Sequence, residues 1–338
     1  MRKKVRFAIV GAGAIGTVYA DALERSKSAQ LCAVTDVLPG AAARLSRAHH
    51  CDAFTSVEAM VARSDIESAI VCTPPNTHAL IANFLTAHGV HVLCEKPLSL
   101  TIGDARAIVE GAKRNGVKLT MGSKFRYVDD VVQAKAMVAS GLIGELILFE
   151  NCFTSCVPML ARWNANPILS GGGVLIDNGT HSVDIMRYFL GDLQWVQAVE
   201  GKRVQALSVE DTVRLFVRSC DGVMGSIDLS WSIQKATGNY IEIYGSRGTI
   251  AVGWNGSQYR TDTKPEWIPF GSGYDKKRAF SAQIENFCAA IRHQEPLRIT
   301  PEDALASVEV IDSAYRALRR NDWTSVHAPA LPQLVAAT

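Results

Sequence analysis

The chain has 338 residues, of which 48% are hydrophobic and 20% charged, with a formal net charge of +2. That length accommodates two domains with sizeable cores, and the composition is that of an ordinary soluble protein. The near-neutral balance gives no electrostatic case for nucleic acid or an anionic membrane, and no apolar run reaches membrane-spanning length.

The N-terminus, "MRKKVRFAIVGAG", sets basic residues before an apolar run, as a secretory signal would. That run is short and leads straight into glycines, so it reads as a first strand. The stretch "VRFAIVGAGAIGTVYADALERS" is then strand, glycine turn and helix. Gly11, Gly13 and Gly16 stand at G-x-G-x-x-G spacing. The first permits a tight turn, the second lets backbone approach a pyrophosphate, and the third lets helix pack on strand. The helix start, with Ala14 and Ile15, offers free N–H groups and a positive dipole end to phosphates. A second strand, "QLCAVTD", ends at Asp36, twenty residues beyond Gly16. A carboxylate there binds adenosine ribose hydroxyls and repels a 2′-phosphate, which favours NAD over NADP. Taken alone, Asp36 also suits a turn or a helix cap.

Alternation continues. Residues 57–62 read as helix and "SAIVCTPP" as a buried strand. "NTHALIANFLTAHG" reads as a helix with Asn76 as its cap, and "VHVLCEKP" as another strand. A helix over 101–115 and a strand "KLTMG" follow. Repeated βα units predict a parallel sheet covered by helices on both faces. Ligands of such sheets bind beyond the carboxyl ends of the strands, where "TPPNTH" and "EKP" stand. Lys96 in "CEKPLS" is either a solvated loop lysine or a donor to a substrate alkoxide.

Farther on, "GGGVLIDNGTHSVDIMRYF" (171–189) sets Asp177, His181, Asp184 and Tyr188 at helical steps of four, three and four. They share one stripe, with Leu175, Val183, Met186 and Leu190 opposite. Such a stripe faces water or lines an active site. Just before it, Trp163 in "ARWNAN" suits either loop packing or stacking on a sugar ring, with Arg162 and Asn164 near hydroxyls. The remainder reads as strands: "ELILFENCFTS", "QWVQAVEGKR", "DTVRLFVRS", "GVMGSIDLSWSI", "YIEIYGS" and "GTIAVG". Helices are predicted over 276–293 and 301–320, and residues 322–338 read as a surface tail. The eight cysteines show no C-x-x-C or zinc pattern, so free thiols in a reducing cytoplasm are expected, with no metal site.

The segments "VGAGAIG", "CTPPNTHA", "CEKPLSLT" and "GGGVLIDNGTHSVDIMRYFLG" arrive in the order seen in the Gfo/Idh/MocA family, the glucose–fructose oxidoreductase and inositol dehydrogenase family of nicotinamide-dependent oxidoreductases. The chain resembles that family strongly over residues 5–255 and thinly beyond. The resemblance implies an α/β Rossmann domain over 1–122. It implies an α+β substrate and oligomerisation domain over 123–338, built on an open, mostly antiparallel sheet. It places Lys96, Asp177 and His181 in catalysis, and Thr73, Pro74, Asn76, His78 and Glu95 near the cofactor. His78 suits equally a first-turn helix position without a ligand. Arg126 in "SKFRY" falls where family members place a substrate contact, although Lys124 and Tyr127 depart from the usual neighbours.

Hydride transfer from a secondary alcohol needs a base, which His181 suits with an ordinary pKa of about 6.5. Asp177 would orient it and Lys96 would bind the reacting oxygen, with no metal required. The family implies a sugar, sugar derivative or cyclic polyol as substrate, in either direction. The alternating strands leave a second sheet face free to pair, predicting a homodimer or homotetramer. Two rivals remain open: an NAD(H)-sensing regulator without turnover, and a dehydrogenase of a non-carbohydrate such as a dihydrodiol.

Overall fold

A computed structural model describes residues 3–63 and 65–326. The first part of the chain runs β1 (Val5–Val10), α1 (Ala14–Arg25), β2 (Ala29–Thr35), α2 (Pro39–Ala48), β3 (Asp52–Phe54), α3 (Val57–Val61), β4 (Ser68–Val71), α4 (His78–Ala87), β5 (His91–Glu95), α5 (Ile102–Arg114) and β6 (Leu119–Gly122). Its six strands are all parallel, in the order β3-β2-β1-β4-β5-β6. All four residues of β4 are buried, as a strand covered on both faces requires. Strand order reverses between β1 and β4, so a crevice opens beyond their carboxyl ends. The sequence reading missed α2 and β3. In α2 only Ala42, Leu45 and Ser46 are buried, so no apolar stripe marks it, and β3 has three residues.

A 3₁₀ turn (Lys124–Tyr127) follows β6. Then come α6 (Asp129–Ala139), β7 (Leu146–Thr154), α7 (Pro167–Ser170), α8 (Val174–Leu190), β8 (Leu193–Glu200), β9 (Thr212–Ser219), β10 (Met224–Ser230), β11 (Asn239–Gly245), β12 (Gly248–Gly253), β13 (Ser257–Thr261), β14 (Ile268–Gly271), α9 (Lys276–Ile291), α10 (Pro301–Arg320) and β15 (Thr324–Ser325). Nine strands form the second sheet, β14-β13-β12-β11-β7-β10-β9-β8-β15. Only the β7–β10 pair is parallel. Strand β9 buries Val213, Leu215 and Val217 while Arg214, Phe216 and Arg218 face outward, the alternation of a sheet with one covered face. Helix α8 lies on that covered face. Its approach is close: a Cβ on Gly225 of β10 would stand 2.8 Å from the Met186 Cε.

The last two helices return to the first sheet, which the division at 122/123 did not foresee. Phe280, Ile284, Phe287 and Ile291 of α9 share a core with Phe7, Ile9 and Tyr19. The Tyr19 and Phe280 rings meet edge-on at 4.8 Å. On the C-terminal side, Thr120 Oγ1 donates to the Ile299 carbonyl at 2.8 Å. A capping box at Thr300 and Asp303, with Pro301 next, starts α10. Part of the expected tail is a strand, since Thr324 and Ser325 pair with Val196 and Trp195. The rest, 327–338, lies outside the described residues. No helix among the described residues is long and apolar enough to cross a membrane.

Candidate active site

The glycine turn is shaped by close backbone approach. Gly11 has φ +101°, and a Cβ there would stand 2.8 Å from the Cys72 carbonyl. A Cβ on Gly16 would stand 2.1 Å from the Gly11 carbonyl oxygen. Nothing lies within 4 Å of a Cβ on Gly13, the position where a pyrophosphate would approach the protein backbone. Helix α1 begins at Ala14 with no side-chain cap and no acidic residue in its first turn, so its N–H groups stay open to an anion. Asp36 ends β2. Its Oδ2 accepts from Ala12 N at 2.7 Å and its Oδ1 from Leu38 N at 2.9 Å, which fixes the carboxylate beside the turn. This cradle fits a dinucleotide. Val37 and Leu38, exposed directly after Asp36, extend the same edge and were not singled out in the sequence.

Two loops at strand ends carry the next residues. Thr73 lines the central cavity. Thr77, not the exposed Asn76, stands at the N-cap of α4, and its Oγ1 turns back to Thr73 Oγ1 at 2.7 Å and the Pro74 carbonyl at 2.8 Å, so the helix has no side-chain cap. Pro74 sits partly buried between them. His78 is fully buried, with Nδ1 2.8 Å from the Pro97 carbonyl and Nε2 2.9 Å from the Thr73 carbonyl. It ties the two loops together and does not line the cavity. Burial pushes its pKa down, against the pull of the two carbonyls.

Glu95 ends β5 and Lys96 directly follows it. Glu95 accepts from Tyr19 Oη at 2.8 Å and from Lys96 N at 3.2 Å, and burial raises its pKa. Lys96 Nζ donates to the Asp177 carbonyl at 3.0 Å and forms an ion pair with the Asp177 carboxylate. One helical turn on, His181 is 6% exposed. Its Nδ1 lies 3.2 Å from Ser123 Oγ and its Nε2 3.2 Å from Lys124 Nζ. An ammonium only donates, so charged Lys124 fixes Nε2 as the acceptor and leaves Nδ1–H to Ser123. Burial, then Lys124, then Lys96 hold the imidazole pKa well below its ordinary value. Lys124 itself is lowered to about 8, chiefly by burial and then by Lys96.

These groups meet in one cavity of about 440 Å³. Ile15, Thr73, Glu95 and Lys96 line it from the first part of the chain, and Lys124, Asp177, Asn178 and His181 from the second. Phe125, Phe153 and Trp254 supply an aromatic side, while Trp163, 45% exposed, and Asn164 border it. Lys124, Asn178, Phe153 and Trp254 were not among the residues chosen from sequence. Lys124 had a visible signal as a departure beside Arg126. The others come together only through the sheet.

Arg126, which the resemblance places at the substrate, does not reach the cavity. It is 3% exposed and lies outside the cavity lining, paired with Asp184 at 2.8 Å and Asp303 at 3.2 Å, its guanidinium 5.2 Å from the Tyr188 ring. The polar stripe of α8 is therefore divided. Asp177 and His181 face the cavity, whereas Asp184, 0% exposed, and Tyr188 meet Arg126. The stripe neither faces water nor opens along its whole length onto the cavity.

The three glycines before α8 explain how the helix is held. A Cβ on Gly172 would stand 1.9 Å from Tyr315 Oη, and one on Gly173 2.0 Å from the Glu210 carbonyl oxygen. Glu210 Oε1 accepts from Gly173 N at 2.9 Å, Leu175 N at 3.1 Å and Tyr315 Oη at 2.8 Å. A buried carboxylate thus caps the helix from another segment and satisfies N–H groups that its own sequence leaves bare. Glu210 lies 37 residues from Gly173 in the chain, so no local sequence signal marks it as the cap.

A model of the "Oxidoreductase family, NAD-binding Rossmann fold" matches residues 5–123, and the Gfo/Idh/MocA C-terminal domain matches 131–251. The chain is similar to an inositol 2-dehydrogenase of Rhizobium meliloti (strain 1021), 29% identical over 95% of this chain and 99% of that one. It is 28% identical to the rhizopine catabolism protein MocA of Rhizobium meliloti, over 94% and 96%. Among solved structures, GenD2 from gentamicin A biosynthesis in complex with NAD superposes with a TM-score of 0.86 at 27% identity, covering 97% and 98%. With its glycine cradle, paired strand-end lysine and helix-borne histidine in the same arrangement of two sheets, the chain belongs to the Gfo/Idh/MocA family of oxidoreductases.

Proposed function

We propose that the protein is an NAD-dependent oxidoreductase acting between a secondary alcohol and a ketone of a sugar, sugar derivative or cyclic polyol. The carrying observation is that Lys96, Asp177 and His181 meet in a cavity that Ile15, at the start of α1, also lines. The inositol 2-dehydrogenase relative supports the substrate class. NAD, when bound, supplies the acceptor for the carbinol hydrogen and its electron pair. Gly11, Gly13, Gly16 and the start of α1 hold the pyrophosphate, and Asp36 holds the adenosine ribose. Lys96, steadied by Asp177, donates to the substrate oxygen and stabilises negative charge as it develops there. His181 takes the hydroxyl proton at Nε2, and Ser123 holds its other nitrogen so that the correct tautomer is presented. A panel of sugars and cyclitols, read by NADH absorbance, tests the assignment. Binding of NAD with no turnover across the panel would replace it with a non-catalytic sensor.

The outer face of the second sheet carries Trp195, Val199, Phe216 and Met224, the last 57% exposed. That apolar content supports a homodimer or homotetramer through this face. Light scattering at micromolar concentration tests it, and a monomeric mass refutes it. All eight cysteines are free, which fits the reducing cytoplasm as the place of action.

A further inference from the structure

Resting on that reading of the cavity, we propose that the substrate is a sugar acid, a ring or chain polyol that bears a carboxylate, and that Lys124 selects it. The two lysines of the cavity are unequal. Lys96 is paired with Asp177. Lys124 forms no ion pair among the described residues: its ammonium meets the His181 imidazole at 3.2 Å and the Phe125 ring centroid at 4.8 Å. Neither partner carries a negative charge.

The carboxylates in reach are committed elsewhere. Asp177 serves Lys96, and Glu95 is held by Tyr19 and the Lys96 amide, with burial favouring its neutral form. Lys276 adds further positive potential at Lys124, against Glu95 and Asp177. A desolvated cation without a counterion is costly, and a ligand carboxylate removes that cost. A phosphate, with about two charges and three strong acceptor oxygens, asks for more donors than this one free ammonium provides. Trp163 and Trp254 offer apolar faces to the C–H side of such a ligand, and Asn164 and Asn178 offer amides to its hydroxyls.

The same contact couples recognition to catalysis. Both ring nitrogens of His181 are engaged, Nδ1 by Ser123 and Nε2 by Lys124. A carboxylate that draws Lys124 away opens the Nε2 lone pair to the carbinol proton. It also cancels the cationic field that weakens the imidazole as a base. A neutral sugar leaves Lys124 on Nε2 and the base masked. Burial and Lys96 hold Lys124 at about 8, so it is cationic at pH 7 and its hold on a carboxylate weakens as pH rises past that value.

The test compares uronates and aldonates with their neutral parent sugars at pH 7, in the wild type, K124M and K124R, by kcat/KM with NAD. The expected wild-type preference for the acid is about tenfold or more, falling to near parity in K124M and retained in K124R. A wild-type ratio at or below one, or an undiminished preference in K124M, overturns the proposal. Sugar phosphates outcompeting the acids overturns it as well. If neither acids nor neutral sugars reduce NAD, the oxidoreductase reading fails by itself. Calorimetry of the same pairs on NADH-loaded protein then decides the charge selection: tighter acid binding that K124M abolishes upholds it, and equal binding refutes it. Should K124M fail to fold, wild-type affinity for the acid is titrated with pH. A fall above about pH 8 upholds the proposal and a flat profile overturns it.

Discussion

Replacing Arg126 with methionine separates two roles that the sequence could not. The guanidinium is 3% exposed and faces Asp184, which is 0% exposed, and Asp303. Methionine keeps much of the side-chain volume and removes the charge, so the Asp184 carboxylate is left buried without its cation. Breaking a buried pair in this way costs roughly 3–5 kcal/mol. At about 2.1 cal/mol/K per residue, the unfolding entropy of a chain of this length is about 0.7 kcal/mol/K, so Tm should drop by about 4–7 °C. Burial already raises the Asp184 pKa, with Arg126 opposing. Without Arg126 the pKa rises further, and a folded pKa above the unfolded one means that the folded state binds the extra proton. The deficit should therefore be largest at neutral pH and shrink as pH falls through the raised value. Differential scanning calorimetry from pH 5 to 8 measures this, with D184L added to R126M as a second variant. Removing both charges should recover much of the loss. KM of the folded R126M enzyme should stay near wild type. An unchanged Tm with a large rise in KM would refute the reasoning and return Arg126 to the substrate.

Other outcomes follow from the same geometry. D36S should narrow the preference for NAD over NADP, measured by calorimetry with each cofactor; an unaltered protein that binds NADP as tightly would contradict the role of Asp36. H181A should lower turnover by roughly 10²–10⁴-fold in single-turnover assays, with NAD affinity kept, because the cradle lies elsewhere. The wild-type kcat/KM should stay level as pH falls through 6.5 and decline only well below it, since the base must be neutral and its pKa is held down; a midpoint at or above 6.5 would show that the burial is relieved in the working enzyme. E210A should lose about 2–5 kcal/mol, the cost of stripping buried N–H donors and Tyr315 of one charged acceptor, together with turnover, as α8 loosens; normal stability in urea titration would show that the cap is dispensable.

Much of the first sheet was legible from the chain because its signals are local. Most buried parallel strands read as continuous apolar runs, and G-x-G-x-x-G with a carboxylate twenty residues later marks a turn, a helix start and an acidic side chain beside that turn within one βαβ unit. The helix within 171–189 and the two late helices were visible for a similar reason, since a 3.6 period and a proline followed by Glu302 and Asp303 need no distant partner. Periodicity put Asp177, His181, Asp184 and Tyr188 on one side of α8. What it could not supply was the environment of that side, which changes within two turns from an open cavity to a buried arginine. Only the packed structure decided that Arg126 neutralises Asp184 while its neighbour Lys124 turns into the cavity onto His181, because direction out of a 3₁₀ turn depends on what packs around it. The Glu210 cap and the return of α9 and α10 to the first sheet likewise join segments far apart in the chain. Local sequence carries propensity and period; charge compensation and pocket shape are set by contacts between remote residues, and those exist only once the two sheets have formed and packed.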